Sequence, residues 1–213
     1  MENSLAAFRR AAELGADAVE LDVHATADGG FVVFHDDIVG RMPVARCPLP
    51  ELRTHRLGNG EPLPTLEEAL EAILPRMRAF VEVKTLDPRW DDRLIDLIAR
   101  SPAPDRIAVH AFDHRIVRRL VGLRPSLPAG ALLSANVVSP VEVLRAAGAT
   151  ALWQRWQTID QALVDAVHGA GAVVYAWTAD DPAAIGRLLA MGVDGICSNH
   201  PDRARSAIDS LPS

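Results

Sequence analysis

Short runs of apolar residues alternate along the chain with longer stretches whose apolar positions recur every three or four residues. The short runs predict strands at Ala18–His24, Phe31–His35, Phe80–Lys84, Ile107–Phe112, Gly130–Leu133, Ala151–Gln154, Val173–Thr178 and Gly195–Ser198. The stretches between them predict amphipathic helices, the first over Ser4–Leu14. Thr65 with Glu68, and Ser139 with Glu142, fit a capping box, in which each side chain satisfies an unpaired backbone amide of the other residue. Pro140 and Pro182 stand where a first helical turn tolerates a missing N–H. Strand–helix alternation over 213 residues means parallel pairing, in an open doubly wound sheet or a closed (β/α)8 barrel. The open sheet would carry a glycine-rich phosphate loop after its first strand, and none is present, so the barrel is favoured. Phe31–His35 follows Ala18–His24 after the turn Asp28-Gly29-Gly30 and reads as a hairpin excursion. Without it seven barrel strands remain, and the chain opens on a helix. The expected fold is a TIM barrel lacking its first strand.

Two strands break the pattern that a parallel barrel demands, which is apolar on both faces. In Ala18–His24, Val19, Leu21 and Val23 form one face while Glu20, Asp22 and His24 share the other. In Phe80–Lys84, Glu82 and Lys84 share a face opposite Val81 and Val83. Buried charge is costly unless it is paired or binds a cation. Functional groups of such barrels gather at the C-terminal ends of the strands, where Glu20, Asp22 and Glu82 would converge. An all-oxygen set of this kind suits a hard divalent cation, Mg²⁺ or Ca²⁺. The competing reading is a structural ion-pair cluster. The next strand ends in His35-Asp36, where it reaches the turn, and an imidazole there titrates near neutral pH and can pass protons either way.

Composition narrows the function further. The net charge of −6 argues against a nucleic-acid surface, which would require a basic stripe. It leaves an anionic small molecule possible where a metal neutralises the site locally. No apolar run is long enough to cross a membrane, and no secretory signal is visible at the start, so a cytoplasmic location is expected. Cys47 and Cys197 lack metal-ligand spacing and are expected as free thiols. Lys84 is the only lysine in a chain whose other basic residues are arginine.

These residues carry a family resemblance. Glu2-Asn3-Ser4, Gly15-Ala16-Asp17, Glu20-Leu21-Asp22-Val23, Thr26-Ala27-Asp28-Gly29 and Val33-Phe34-His35-Asp36 resemble the ordered N-terminal motifs of glycerophosphodiester phosphodiesterases. Pro64-Thr65-Leu66-Glu67-Glu68, Glu82-Val83-Lys84, Tyr175-Ala176-Trp177-Thr178 and Gly195–Pro201 follow in the family's order. The resemblance implies one barrel domain over 1–213 with a short insertion around 36–63, of the compact bacterial type. It implies that Glu20, Asp22 and Glu82 bind a divalent metal, with Glu2 beside them as a further ligand or as a group supporting the ligands. It assigns His35 as one of two catalytic histidines, Lys84 as a phosphate contact, and Trp177 as a wall against the glycerol or alcohol moiety. A lone lysine at that position fits a point-charge contact that arginine's planar fork would make poorly.

The chain also departs from the family. The family's motifs begin with a first strand ending in His-Arg-Gly, which supplies the other catalytic histidine and an arginine, and Met1 stands downstream of it. Ala111 replaces a common serine, and Ser198-Asn199-His200-Pro201 differs from the usual Thr-Asp-x-Pro. No role is expected for His24, His110, His168 or His200. The expected activity is metal-dependent hydrolysis of glycerophosphodiesters to glycerol 3-phosphate and an alcohol, with turnover by the chain as written expected to be slight. The alternative is a non-catalytic protein that binds a phosphate ligand.

Overall fold

The structure is a computed structural model, and it describes residues 1–210. Its central sheet has the strand order β10-β9-β8-β7-β6-β5-β1-β2. The strands are β1 (Ala18–Ala25), β2 (Phe31–Val33), β5 (Arg78–Thr85), β6 (Ile107–Ala111), β7 (Ala129–Leu133), β8 (Ala151–Arg155), β9 (Val173–Trp177) and β10 (Gly195–Ile196). A separate small hairpin pairs β3 (Ile38–Val39) with β4 (Met42–Pro43). The helices are α1 (Leu5–Glu13), α2 (Leu49–Leu52), α3 (Leu66–Ile73), α4 (Asp91–Arg100), α5 (His114–Leu123), α6 (Pro140–Ala147), α7 (Gln161–Gly169), α8 (Pro182–Ala190) and α9 (Pro201–Asp209).

The strands from β1 and β5 to β10 pair in parallel, while β2 runs antiparallel to the end of β1, as the turn chemistry predicts. Among the described residues no ladder joins β10 to β1, so the curled sheet stays open there. Side chains bridge part of this seam: Arg205 of α9 donates to the Gly15 carbonyl at 3.1 Å and to Asp17 just before β1. The predicted strand Phe31–His35 ends earlier than expected, at Val33, and leaves His35 in the following loop. Thr65 and Glu68 form the full capping box. At α6 only half of it forms, because Ser139 accepts from the Glu142 amide while the Glu142 carboxylate turns to Arg145.

The period-two pattern sorts the two faces of the sheet. Val19, Leu21, Val23, Val81, Val83 and Val109 lie on the outer face and pack under the helices in one core. Leu152, Val174 and Ala176 do the same in a second core. The concave face holds the exceptions, and its floor is aromatic. Phe80 meets Trp153 edge-on with centroids 5.0 Å apart, and Tyr175 lies 5.1 Å from Phe80 and 4.8 Å from Trp153. Each such pair adds about 0.5–1.5 kcal/mol beyond its buried area.

Two glycines make room for these rings. A Cβ at Gly130 would lie 2.7 Å from Trp153, and one at Gly195 would lie 2.6 Å from Tyr175. Trp153 is wedged between Phe80, Tyr175 and His110 and cannot retreat. Gly130→Ala is therefore expected to destabilise the fold by about 1–3 kcal/mol in urea denaturation, as overpacked cores do. An unchanged midpoint would show the floor to be loosely packed.

Candidate active site

Three adjacent strands build the site. Register places Asp22 of β1 beside Glu82 of β5, and Glu82 beside His110 of β6, with Glu20 one step below Asp22 on the same face. These groups stand on the aromatic floor at the C-terminal end of the sheet. Glu82, Asp22 and His110 are buried, and Glu20 is half-buried.

A bulge aims the lysine. The β1–β5 register runs from Val23↔Val83 straight to His24↔Thr85, leaving Lys84 as the extra, unpaired residue of β5. Bulges re-aim side chains in this way. Lys84 Nζ lies 2.8 Å from Glu82 Oε1 and 3.3 Å from Asp22 Oδ1. Burial works against its charge, but the hydrogen bond and negative charge of Glu82 and the charge of Asp22 outweigh it and hold the ammonium above its ordinary pKa.

Asp22 is gripped from its other side by Asn3. Asn3 Nδ2 donates to Asp22 Oδ2 at 2.7 Å, and Asn3 Oδ1 accepts the Asp22 backbone N–H at 3.1 Å. Asn3 is buried and holds a positive φ of 51°, which asparagine tolerates better than most residues. Its amide thus satisfies an edge amide of β1 where no strand pairs. Removing it by Asn3→Ala would leave that buried N–H unpaired, at about 1–3 kcal/mol.

Glu20 is the unsettled carboxylate. Its Oε1 is sealed from solvent and accepts no hydrogen bond among the described residues, and the nearest imidazole nitrogen, His110 Nε2, lies 3.6 Å away. Burial first, and then the charge of Asp22, push its pKa up to about 8. Burial also raises Glu82, although Lys84 opposes it. His110 moves the other way, lowered by burial to about 4, so its ring is neutral at ordinary pH. Ligand atoms of Glu20, Glu82 and His110 all lie within 4.8 Å of one another, a group able to hold a metal ion. Asp22, beside this group, contacts Lys84 through Oδ1 and Asn3 through Oδ2. Cys197, at the end of β10, has its thiol pKa raised by burial and by the same carboxylates.

Two histidines that sequence alone left without a role enter this region. His110 is one. His24 is the other: its Nδ1 lies 3.1 Å from Thr85 Oγ1 and its Nε2 lies 3.3 Å from the His35 carbonyl. Donation to that carbonyl places the proton on Nε2 and leaves Nδ1 to accept the threonine hydroxyl. Burial lowers its pKa, consistent with this neutral form. His24 thereby ties the end of β1 to the loop that carries His35. The His35 ring is largely exposed, with Nδ1 2.8 Å from Asp36 Oδ1, a bond that raises its pKa.

Trp177 stands at the end of β9, edge-on to the exposed Phe112 with centroids 5.7 Å apart, and its buried indole N–H has no acceptor among the described residues. Phe112 was legible only as a strand end. Glu2 is exposed and makes no hydrogen bond among the described residues, but its charge contributes to the shift of Glu20.

The Glu20 shift has a consequence for stability. Between 4.5 and about 8 the folded chain holds a proton on Glu20 that the unfolded chain has lost. In the metal-free protein this group's contribution is complete below 4.5 and is lost as pH rises towards about 8. The limiting slope is about 1.4 kcal/mol per pH unit for one group. Glu20→Gln should flatten that decline when unfolding free energy is followed against pH in chelator. A parallel decline in the variant would place the titration elsewhere.

Comparison with known proteins identifies the family. The model of the glycerophosphoryl diester phosphodiesterase family matches residues 1–203. A glycerophosphodiester phosphodiesterase of Caldanaerobacter subterraneus is 32% identical over 217 residues, covering 94% of this chain and 89% of that protein. Among solved structures, a phosphodiesterase of Oleispira antarctica in complex with the product sn-glycerol-3-phosphate superposes with a TM-score of 0.89 at 27% identity, covering 98% of this chain and 92% of that one. A glycerophosphodiester phosphodiesterase of Parabacteroides distasonis gives 0.88 at 28% identity, covering 98% and 90%. With the family model matched along residues 1–203 and a relative 32% identical over 94% of its length, this chain belongs to the glycerophosphoryl diester phosphodiesterase family of phosphoric diester hydrolases.

Proposed function

We propose that this chain hydrolyses glycerophosphodiesters to glycerol 3-phosphate and an alcohol, with a divalent cation held by the carboxylates of β1 and β5. The observation that carries the reading is a sealed, unsatisfied carboxylate oxygen on Glu20 in the same cluster as the chain's lone lysine, which is ion-paired with Asp22 and Glu82, at the C-terminal ends of adjacent strands. The product bound by the Oleispira antarctica relative supports the glycerol 3-phosphate half of the proposal. The reading takes 1–213 as one domain with a short insertion around 36–63, and the contacts of Arg205 in α9 with Gly15 and Asp17 favour that view. Cys47 and Cys197 are free thiols, which suits the proposed cytoplasmic setting, and no described helix is long and apolar enough to cross a membrane.

Three carboxylates would repel a phosphodiester unless a cation neutralised them. Glu20, Glu82 and Asp22 would hold that cation, with Glu2 at the rim as a further ligand. The carboxylates taken by themselves suit Mg²⁺ or Ca²⁺. When bound, such an ion polarises phosphoryl oxygens and acidifies a nearby hydroxyl. Lys84 offers its ammonium to a phosphate oxygen, released from Asp22 and Glu82 as their charge is neutralised. His35, oriented through Nδ1 by Asp36, has Nε2 left to take or give a proton. Trp177 and Phe112, packed edge-on, wall the mouth against the alcohol moiety.

The test follows glycerol 3-phosphate release from glycerophosphocholine in the presence of Mg²⁺ or Ca²⁺. Glu20→Gln and Glu82→Gln should each lower kcat/KM by more than about tenfold. Lys84→Arg should cost about tenfold, chiefly through a raised KM, because a planar fork replaces a point charge. Glycerol 3-phosphate binding without turnover in the wild type would favour the non-catalytic reading instead. Absence of both would sink the proposal.

A pH profile tests the role of His35. Asp36 raises its pKa, so Asp36→Asn should move the acidic limb of kcat/KM to lower pH. An unmoved limb would assign that ionisation to another group.

A further inference from the structure

We propose that His110 is a ligand of the cation site and that it shifts the site's preference from Mg²⁺ or Ca²⁺ to a borderline first-row ion of the Zn²⁺ or Co²⁺ class. This rests on the metal reading above and deepens it.

The two buried histidines of the concave face provide an internal contrast. His24 engages a partner with each ring nitrogen, as a structural histidine does. His110 is 1% exposed, its Nδ1 has no partner, and its Nε2 stops 3.6 Å short of the equally unpartnered Glu20 Oε1. A neutral imidazole and a carboxylate at that separation do not hydrogen-bond to each other. The spacing instead suits two donors of one ion. Ligands about 2.1 Å from a shared tetrahedral centre lie about 3.4 Å apart.

The surroundings hold the ring for this purpose. Trp153 stacks flat on it, with centroids 4.3 Å apart and planes within 6°. That stacking depends on Gly130, where any Cβ would meet both Trp153 and the His110 Cβ. Register sets the Glu82 carboxylate beside it on the next strand. Ligating histidines are usually steered by a hydrogen bond from the second nitrogen. Here an aromatic face does the steering, which leaves Nδ1 free of partners. Imidazole favours Zn²⁺, Co²⁺ and similar ions over Mg²⁺ and Ca²⁺, so one nitrogen in an oxygen set changes which ion wins.

Calorimetric titration of Zn²⁺, Co²⁺, Mg²⁺ and Ca²⁺ into the wild type and His110→Gln tests this. The expected result is a loss of about tenfold or more in Zn²⁺ and Co²⁺ affinity in the variant, with Mg²⁺ affinity within about threefold of wild type. Equal losses for every ion, or none, would overturn the proposal. Should His110→Gln fail to fold, the Cu²⁺-loaded His35→Gln variant is read by electron spin-echo modulation. Imidazole nitrogen at the bound ion supports His110 as a ligand, and its absence overturns it. Glu20→Gln and Glu82→Gln are titrated alongside. If both bind every ion as the wild type does, the metal site itself fails, a result distinct from unchanged selectivity in His110→Gln.

Discussion

Asp22, Glu82 and Glu20 crowd one buried corner of the concave face, and charge on all of them is incompatible with so little water. One ammonium answers for two. Lys84 lies within ion-pair distance of Asp22 and Glu82, and it gets there because β5 carries one residue more than β1 at that point. Glu20 is left over, and burial beside Asp22 drives it towards its protonated form. A buried ion pair is weak evidence for stability by itself, since apolar residues of like volume often serve as well. A buried carboxylate with no partner is worse than weak; it costs stability. The sequence tolerates that cost at the end of the sheet where ligands of such folds bind, which is why the cluster reads as a site.

The rest of the concave face supports this corner. The rings of Phe80, Trp153 and Tyr175 fill the sheet from below, and they fit because Gly130 and Gly195 give up their side chains. The floor removes water beneath the carboxylates and so produces the shifts in Glu20, Glu82 and His110, for which burial is the largest cause. At the rim the character changes. His35 and Phe112 are exposed and Trp177 is half-buried, and the exposed carboxylates of Glu2 and Asp36 stand beside them.

Much of this was legible in the order of residues. Period-two alternation in Ala18–His24 and Phe80–Lys84 exposed the misplaced carboxylates, because strands force neighbours to opposite faces. The Asp28-Gly29-Gly30 turn announced that the second strand folds back, as β2 does. Other features needed three dimensions. The Lys84 bulge is a mismatch between two strands, and neither strand records it alone. His110 sits on an otherwise apolar strand, and only the β5–β6 register places it beside Glu82. Asn3 acts because a tight turn with a positive φ swings its amide under Asp22, a path no periodicity describes. His24 shares the face of Glu20 by count, but the bulge next to it diverts the ring to Thr85 and the His35 carbonyl.

In the proposed site, a bound cation would replace the proton on Glu20, whose Oε1 has no partner among the described residues. Calorimetric titration of a divalent ion at pH 7, repeated in two buffers of different ionisation enthalpy, counts protons released on binding. With Glu20 raised to about 8, binding should expel close to one proton per ion, and the count should fall towards zero as the pH is taken above that value. Ion binding with no proton release at pH 7, or no binding at any pH, would contradict the account.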